Sequence, residues 1–130
     1  MNSYNEAVKN CRVTAEITVN LSMEDVDDIM SAALDDGITY WCSRVEVVGG
    51  YPGECASEQI ARGGVLNLYD AESSDVYQLD LAKLLTGIKI FLEEGNHVAV
   101  DDNLLNVADI DANDADCIVQ FALFGEVLYG

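Results

Sequence analysis

The chain has 130 residues, 50% of them apolar, and sets 24 acidic residues against six basic ones for a net charge of −18. That apolar content excludes disorder, and no apolar run approaches the roughly 18 residues of a membrane span. A field of this sign repels nucleic acid and anionic membrane surfaces, whose recognition needs Lys and Arg, and it attracts basic proteins.

Met1 to Glu6 has neither the positive start nor the apolar stretch of a secretory leader, so a cytoplasmic location is expected. Cys11, Cys42, Cys55 and Cys117 lie far apart and form no Cys-x-x-Cys pair. With a single histidine to help them they do not compose a zinc site, and they read as reduced structural thiols. No cofactor and no metal is expected. There are no repeats and no Pro/Gly/Ser linker, so residues 1–130 form a single domain with residues 1–10 as an N-terminal arm.

After the arm, Arg12 to Asn20 alternates. Val13, Ala15, Ile17 and Val19 share one face and Thr14, Glu16 and Thr18 the other, the period of a half-buried strand. Ser22 then caps a helix with Glu24 and Asp25 in its first turn. That helix runs to about Asp35, buries Val26, Ile29, Met30, Ala33 and Leu34, and stops at Gly37. Ile38 to Val48 is rich in β-branched and aromatic residues and predicts a second strand. Glu54 to Arg62 predicts one or two helical turns closed by Gly63-Gly64. Val65 to Tyr69 and Val76 to Leu79 predict a hairpin across Asp70 to Asp75.

Asp80 caps the next helix, with Leu81, Leu84, Leu85, Ile88 and Leu92 on one face and a stop at Gly95. A short strand is expected at His97–Val100. Asp111 or Asn113 opens the last long helix, which buries Ala115, Ile118, Val119, Ala122 and Leu123 and ends at Gly125; Val127 to Tyr129 adds an edge strand. The order predicts an α+β fold: a small antiparallel sheet of about four strands with two to three main helices packed on one face.

Chemistry is sparsely marked. Asp109-Ile110-Asp111-Ala112-Asn113-Asp114 opens like an EF-hand calcium loop. Asp114 stands where that loop needs glycine, however, and Gln120 where it needs a bidentate glutamate. These acids read instead as a helix N-terminus. A serine or cysteine nucleophile would depend on His97 or a lysine as its base, and no Gly-x-Ser-x-Gly elbow is present. Among two dozen acids, isolated Glu16, Glu46 and Glu58 carry no specific acid–base signal. Arg62, Gly63 and Gly64, with Arg44, Tyr40 and Trp41 nearby in sequence, compose a candidate grip for a small anionic ligand. In a strand Tyr40 and Trp41 would point to opposite faces, one into the core and one outward.

The acids are more informative as arrays. Glu24, Asp25, Asp27, Asp28, Asp35 and Asp36 fall largely opposite the apolar stripe of the first helix, and from Glu93 onward there are nine acids and no lysine or arginine. Asp109, Asp111, Asp114 and Asp116 lead the second array. Carboxylates three or four apart on a helix lie about 5–6 Å from one another, close to the spacing of phosphates along a nucleic-acid strand.

Three segments, Gly37-Ile38-Thr39-Tyr40-Trp41-Cys42, Tyr51 to Gly64 with Ala56-Ser57-Glu58-Gln59-Ile60, and Asp114 to Gly125, together resemble a family of small acidic proteins of phages and prophages of gut-type Firmicutes. The resemblance covers most of the chain after about Cys11. It brings no activity and no site residue, and implies a setting in a bacterial host's cytoplasm. The reading is a non-enzymatic binding or inhibitor protein directed at a basic, nucleic-acid-binding host protein, with no direct nucleic acid, no membrane, and a homodimer allowed. A homo-oligomer binding a nucleotide signal is the alternative, and an enzyme stands third.

Overall fold

The computed structural model describes residues 11–95, 100–101 and 103–130. The arm over residues 1–10 lies outside them, as does the strand expected at His97–Val100 apart from Val100, which is described in a two-residue strand. The described residues form an α+β fold.

Helix α1, Met23–Ala32, begins where the sequence says it should. Ser22 accepts the Asp25 amide and the Asp25 carboxylate accepts the Ser22 amide, a reciprocal capping box. Its continuation, Ala33–Gly37, winds as one π turn, closed by the Ile38 amide donating to the Ala33 carbonyl at 2.9 Å. Strands β1 (Cys42–Val48), β2 (Val65–Asp70) and β3 (Val76–Leu79) make an antiparallel sheet in that order. Cross-strand pairs Val45–Leu68, Val47–Leu66, Leu66–Leu79 and Leu68–Tyr77 set the inner face. Arg44, Glu46, Asn67, Tyr69 and Gln78 fall on the outer one, as the strand period requires.

Helix α2, Leu81–Glu93, is capped by Asp80 through the Lys83 amide. Strands β4 (Val100–Asp101) and β5 (Leu104–Leu105) form a separate two-residue pair, which Asn20 joins by a single parallel bridge to Leu104. Helix α3, Ala112–Phe124, opens on a second capping box between Asp111 and Asp114 and ends at Gly125 in the left-handed conformation.

The core gathers Val26, Ile29 and Met30 of α1, Leu66, Leu68 and Leu79 of the sheet, Leu84, Ile88 and Phe91 of α2 and Ala115, Ile118 and Val119 of α3. Two glycines let α3 approach its neighbours to backbone contact. A Cβ on Gly37 would lie 2.4 Å from the Ala112 carbonyl oxygen, and one on Gly87 of α2 would lie 2.4 Å from the Ile118 carbonyl oxygen.

Several expectations are corrected. Arg12–Val19 forms no strand: the segment is irregular and its side chains are largely exposed, because no neighbouring strand lies along it. Ile38 to Trp41 is a turn and β1 starts only at Cys42, since the π turn must first be unwound. On α2, Leu85 is exposed while Gly87 and Phe91 are buried: the buried stripe is centred where the Gly87 notch meets α3. Val127 to Tyr129 is no strand; its amides are satisfied by a side chain instead of a sheet edge.

The α2–α3 contact makes a direct prediction. Gly87→Ala gains about 1 kcal/mol of helix propensity but must force two backbones apart, which costs roughly 1–3 kcal/mol and more where neither can move. Urea unfolding should show a net loss for Gly87→Ala and a change within about 0.5 kcal/mol for exposed Thr86→Ala.

Candidate functional site

The Gly37–Ala112 contact joins two parts of the sequence that carry acids. Asp35 and Asp36 lie on the π turn at the end of α1, and Asp111 and Asp114 lie at the start of α3. The close approach of the Gly37 and Ala112 backbones therefore brings the last acids of the first array to the start of α3. Glu24 and Asp28 stand one turn apart on the exposed side of α1, with Asp35 two turns beyond Asp28 and Asp109 on the 3-10 turn Val107–Asp109. Glu24, Asp28, Asp35, Asp36, Asp109 and Asp111 are all exposed.

Not every acid assigned to this face belongs to it. Asp116 is 7% exposed and points inward, a correction to its place in the acidic array. Asp27 turns to Arg62, whose Nη1 lies 3.0 Å from Asp27 Oδ1, the one ion pair among the described residues. Asp25 and Asp114 spend one carboxylate oxygen each on a helix cap. Partial burial and the charge of Asp111 raise the Asp114 pKa, against the lowering pull of its bond to the Asp111 amide.

Beneath the acidic face lies a polar network that periodicity does not mark. Asp116 accepts hydrogen bonds from Tyr40 Oη at 2.7 Å, Trp41 Nε1 at 2.8 Å and Gln120 Nε2 at 2.8 Å. Gln120, one helical turn on and fully buried, accepts the Leu128 and Tyr129 amides on Oε1, both at 2.8 Å. Trp41 stacks on Tyr129 with ring centroids 4.7 Å apart and planes 4° from parallel. The Tyr129 hydroxyl donates to Asp70, which also accepts the Glu72 and Ser73 amides. The hydrogen bond to Asp70 raises the Tyr129 pKa and, from the other side, lowers that of Asp70. The only sequence sign of this network is a pair of polar residues, Asp116 and Gln120, four apart on an otherwise apolar helix stripe.

The six candidates for a ligand grip are not brought into one site. Trp41 is buried and Tyr40 half-exposed, as expected, although from a turn and not from a strand. Arg44 lies on the outer face of the sheet, 4.0 Å over the Tyr69 ring. Arg62 is taken by Asp27 and by the Glu58 carbonyl at 2.7 Å. The Gly63 and Gly64 amides donate to Ile60 and Gln59, so neither is left to cradle an anion. A cleft of about 240 Å³ does open beside Tyr40 and Tyr129, but its charged lining is Asp70 and Glu72.

Burial raises the pKa of the Cys42 and Cys117 thiols, with the carboxylates of Asp116, Asp114 and Asp111 adding to the effect at Cys117. Both are thereby held as thiols and not as thiolate nucleophiles. Among the described residues no three His, Cys, Asp or Glu side chains are grouped to hold a metal ion, and no helix is long and apolar enough to cross a membrane.

Comparison with protein-family models, with curated proteins and with solved structures found no match to this chain.

The network predicts a spectroscopic signature. Burial first, then the hydrogen bond and charge of Asp116, push the Tyr40 phenol up to about 12. Because folding raises this pKa, the stabilisation is whole below the ordinary value of about 10 and is lost as pH climbs through 12. In ultraviolet titrations read against Tyr40→Phe, Asp116→Asn should lower the Tyr40 midpoint. The midpoint should stay above 10, since the larger cause, burial, is unchanged.

Proposed function

We propose that this chain is a non-enzymatic, phage-borne acidic protein that binds and inhibits a basic, nucleic-acid-binding protein in the cytoplasm of a bacterial host, in the place of nucleic acid. The observation that carries the reading is the Gly37–Ala112 contact, which sets the turn bearing exposed Asp35 and Asp36 at the end of α1 against the acid-bearing start of α3. Among the described residues the single ion pair is Arg62–Asp27, so the remaining carboxylates of that face have no described basic partner. Such a face steers a basic partner to fast, salt-sensitive association. The phage setting belongs to the proposal and rests on the resemblance of the three segments alone.

The nucleotide-binding alternative has less support. Arg44, Arg62, Gly63 and Gly64 are each occupied elsewhere, and the cleft beside Tyr40 has carboxylates where an anionic ligand needs donors.

Capture from a bacterial lysate tests the proposal. Tagged protein should retain a nucleic-acid-binding protein at low salt and release it at high salt, and DNA or RNA should compete for that partner. The combined variant Asp28→Asn, Asp35→Asn, Asp36→Asn, Asp109→Asn should weaken binding by tenfold or more, whereas Glu72→Gln with Asp75→Asn on the hairpin loop should leave it unchanged. Retention indifferent to salt, or equal binding by the two sets, would overturn it.

A further inference from the structure

The segment Arg12 to Asn20 has the alternation of a strand and none of a strand's partners. Its odd positions, Val13, Ala15, Ile17 and Val19, are apolar, yet Val13 is 92% exposed and Ile17 65%. Among the described residues its sole ladder contact is at its end, where Asn20 bridges to Leu104 and its amide donates to the Asn103 carbonyl. Ala15, Ile17 and Val19 line one wall of an open groove of about 710 Å³, and Leu85, Ile88 and Leu92 of α2 line the other. Leu85 is itself 43% exposed.

Charge identifies the occupant. In a chain of net charge −18, a second copy can approach only where acids are scarce. Between Glu6 and Glu24 the sequence holds two basic residues, Lys9 and Arg12, and the single acid Glu16; between Asp80 and Glu93 it holds two lysines and no acid. These two stretches supply most of both walls of the groove and carry Arg12, Lys83 and Lys89, and the charged lining itself is only Glu16, Lys89 and Glu93, a net charge of −1.

The register is also constrained. Antiparallel pairing of two identical segments keeps apolar opposite apolar only if a residue faces its own copy. Glu16 on the axis would oppose two carboxylates, which is unfavourable. Ala15 on the axis pairs Val13 with Ile17 of the other copy and Thr14 with Glu16, and sets Arg12 diagonal to the other copy's Glu16. We propose that Arg12–Asn20 is a dimerisation strand, which pairs antiparallel with the same segment of a second copy about a two-fold axis at Ala15 and closes the apolar groove against α2. The pairing supplies the ladder hydrogen bonds that each segment lacks alone.

Sedimentation equilibrium on the full chain at physiological salt tests this. The unaltered protein should show a monomer–dimer equilibrium, and Ile17→Asp should weaken it by tenfold or more. Arg12→Glu and Glu16→Arg should each weaken it, and the two together should restore it. Glu16→Arg is the sharper variant: it lowers the net negative charge, so unspecific repulsion alone would make it dimerise better. Ala15→Cys, with Cys11→Ser and Cys55→Ser, should oxidise to a covalent dimer, as opposed residues of an antiparallel pair lie about 4.5–5.5 Å apart at Cα, within disulfide reach. A monomer at every concentration, or a dimer indifferent to Ile17→Asp and to the charge exchange, would overturn the proposal.

Discussion

The structure depends on how closely α3 can be seated. At both ends of its contact surface the neighbour is a glycine: Gly37 under Ala112, and Gly87 under Ile118 and Ala122. Ordinary side chains keep helix axes about 8–10 Å apart, and glycine removes the atoms that set that limit. Once α3 is that near, its inner side reaches the turn after the first helix and the chain's last residues. Asp116 and Gln120 then have donors and acceptors on every side. A buried carboxylate and carboxamide are costly if left unmatched, and here each polar atom finds a partner. The network thus specifies one arrangement of the Tyr40–Trp41 turn, α3 and Tyr129, where apolar contacts alone would allow several.

The same seating has an electrostatic consequence. Bringing the end of α1 to the start of α3 concentrates negative charge, which opposes folding. Part of that cost is offset locally. Asp25 and Asp114 complete capping boxes, and Asp111 caps α3, where the helix dipole favours negative charge. Asp35 is not so placed. It lies on the π turn at the C-terminal end of α1, where the dipole disfavours an anion. Asp36 shares that turn, and neither side chain accepts a hydrogen bond from a described residue. A pair of acids at the wrong end of a helix, beside a second group of acids, is a poor arrangement for stability and a good one for presenting charge.

Much of the architecture was legible in the sequence because it rests on local chemistry. Ser22 and Asp80 cap the helices they were expected to cap, Asp111, one of two candidates, caps the last, Gly125 ends it, and the Val65–Leu79 hairpin follows from alternation around a polar loop. What was not legible depends on contacts distant in the chain. Arg12–Asn20 has the pattern of a strand, but pattern does not supply a neighbour to pair with. Leu85 was expected inside and Phe91 was not, because the buried stripe of α2 is set by the Gly87 notch and not by the count of leucines. Asp116 looked like one more surface acid; its donors, Tyr40 and Trp41, lie some 75 residues earlier. The ligand grip failed for a related reason. Arg62 turns to Asp27 and the Glu58 carbonyl, and the Gly63 and Gly64 amides are spent on the carbonyls of the preceding turn.

Charge therefore divides the molecule into surfaces with different capacities. The end where α1 meets α3 has exposed carboxylates and no described cation opposite them, so approach there is selective for positive charge. The groove between Ala15–Val19 and α2 is lined mostly by apolar side chains, and its three charged residues, Glu16, Lys89 and Glu93, sum to only −1 in a chain of −18. A copy of the same chain is repelled from the first surface and tolerated at the second. Pairing at the groove would leave both acidic ends free and join two of them in one particle. Two sites on one particle raise the effective concentration at a multimeric or repeated basic target, with avidity gains of about 10²–10⁴ where the spacing fits. On the proposed pairing, the charge that repels copies at one end would thus help to set where they meet at the other.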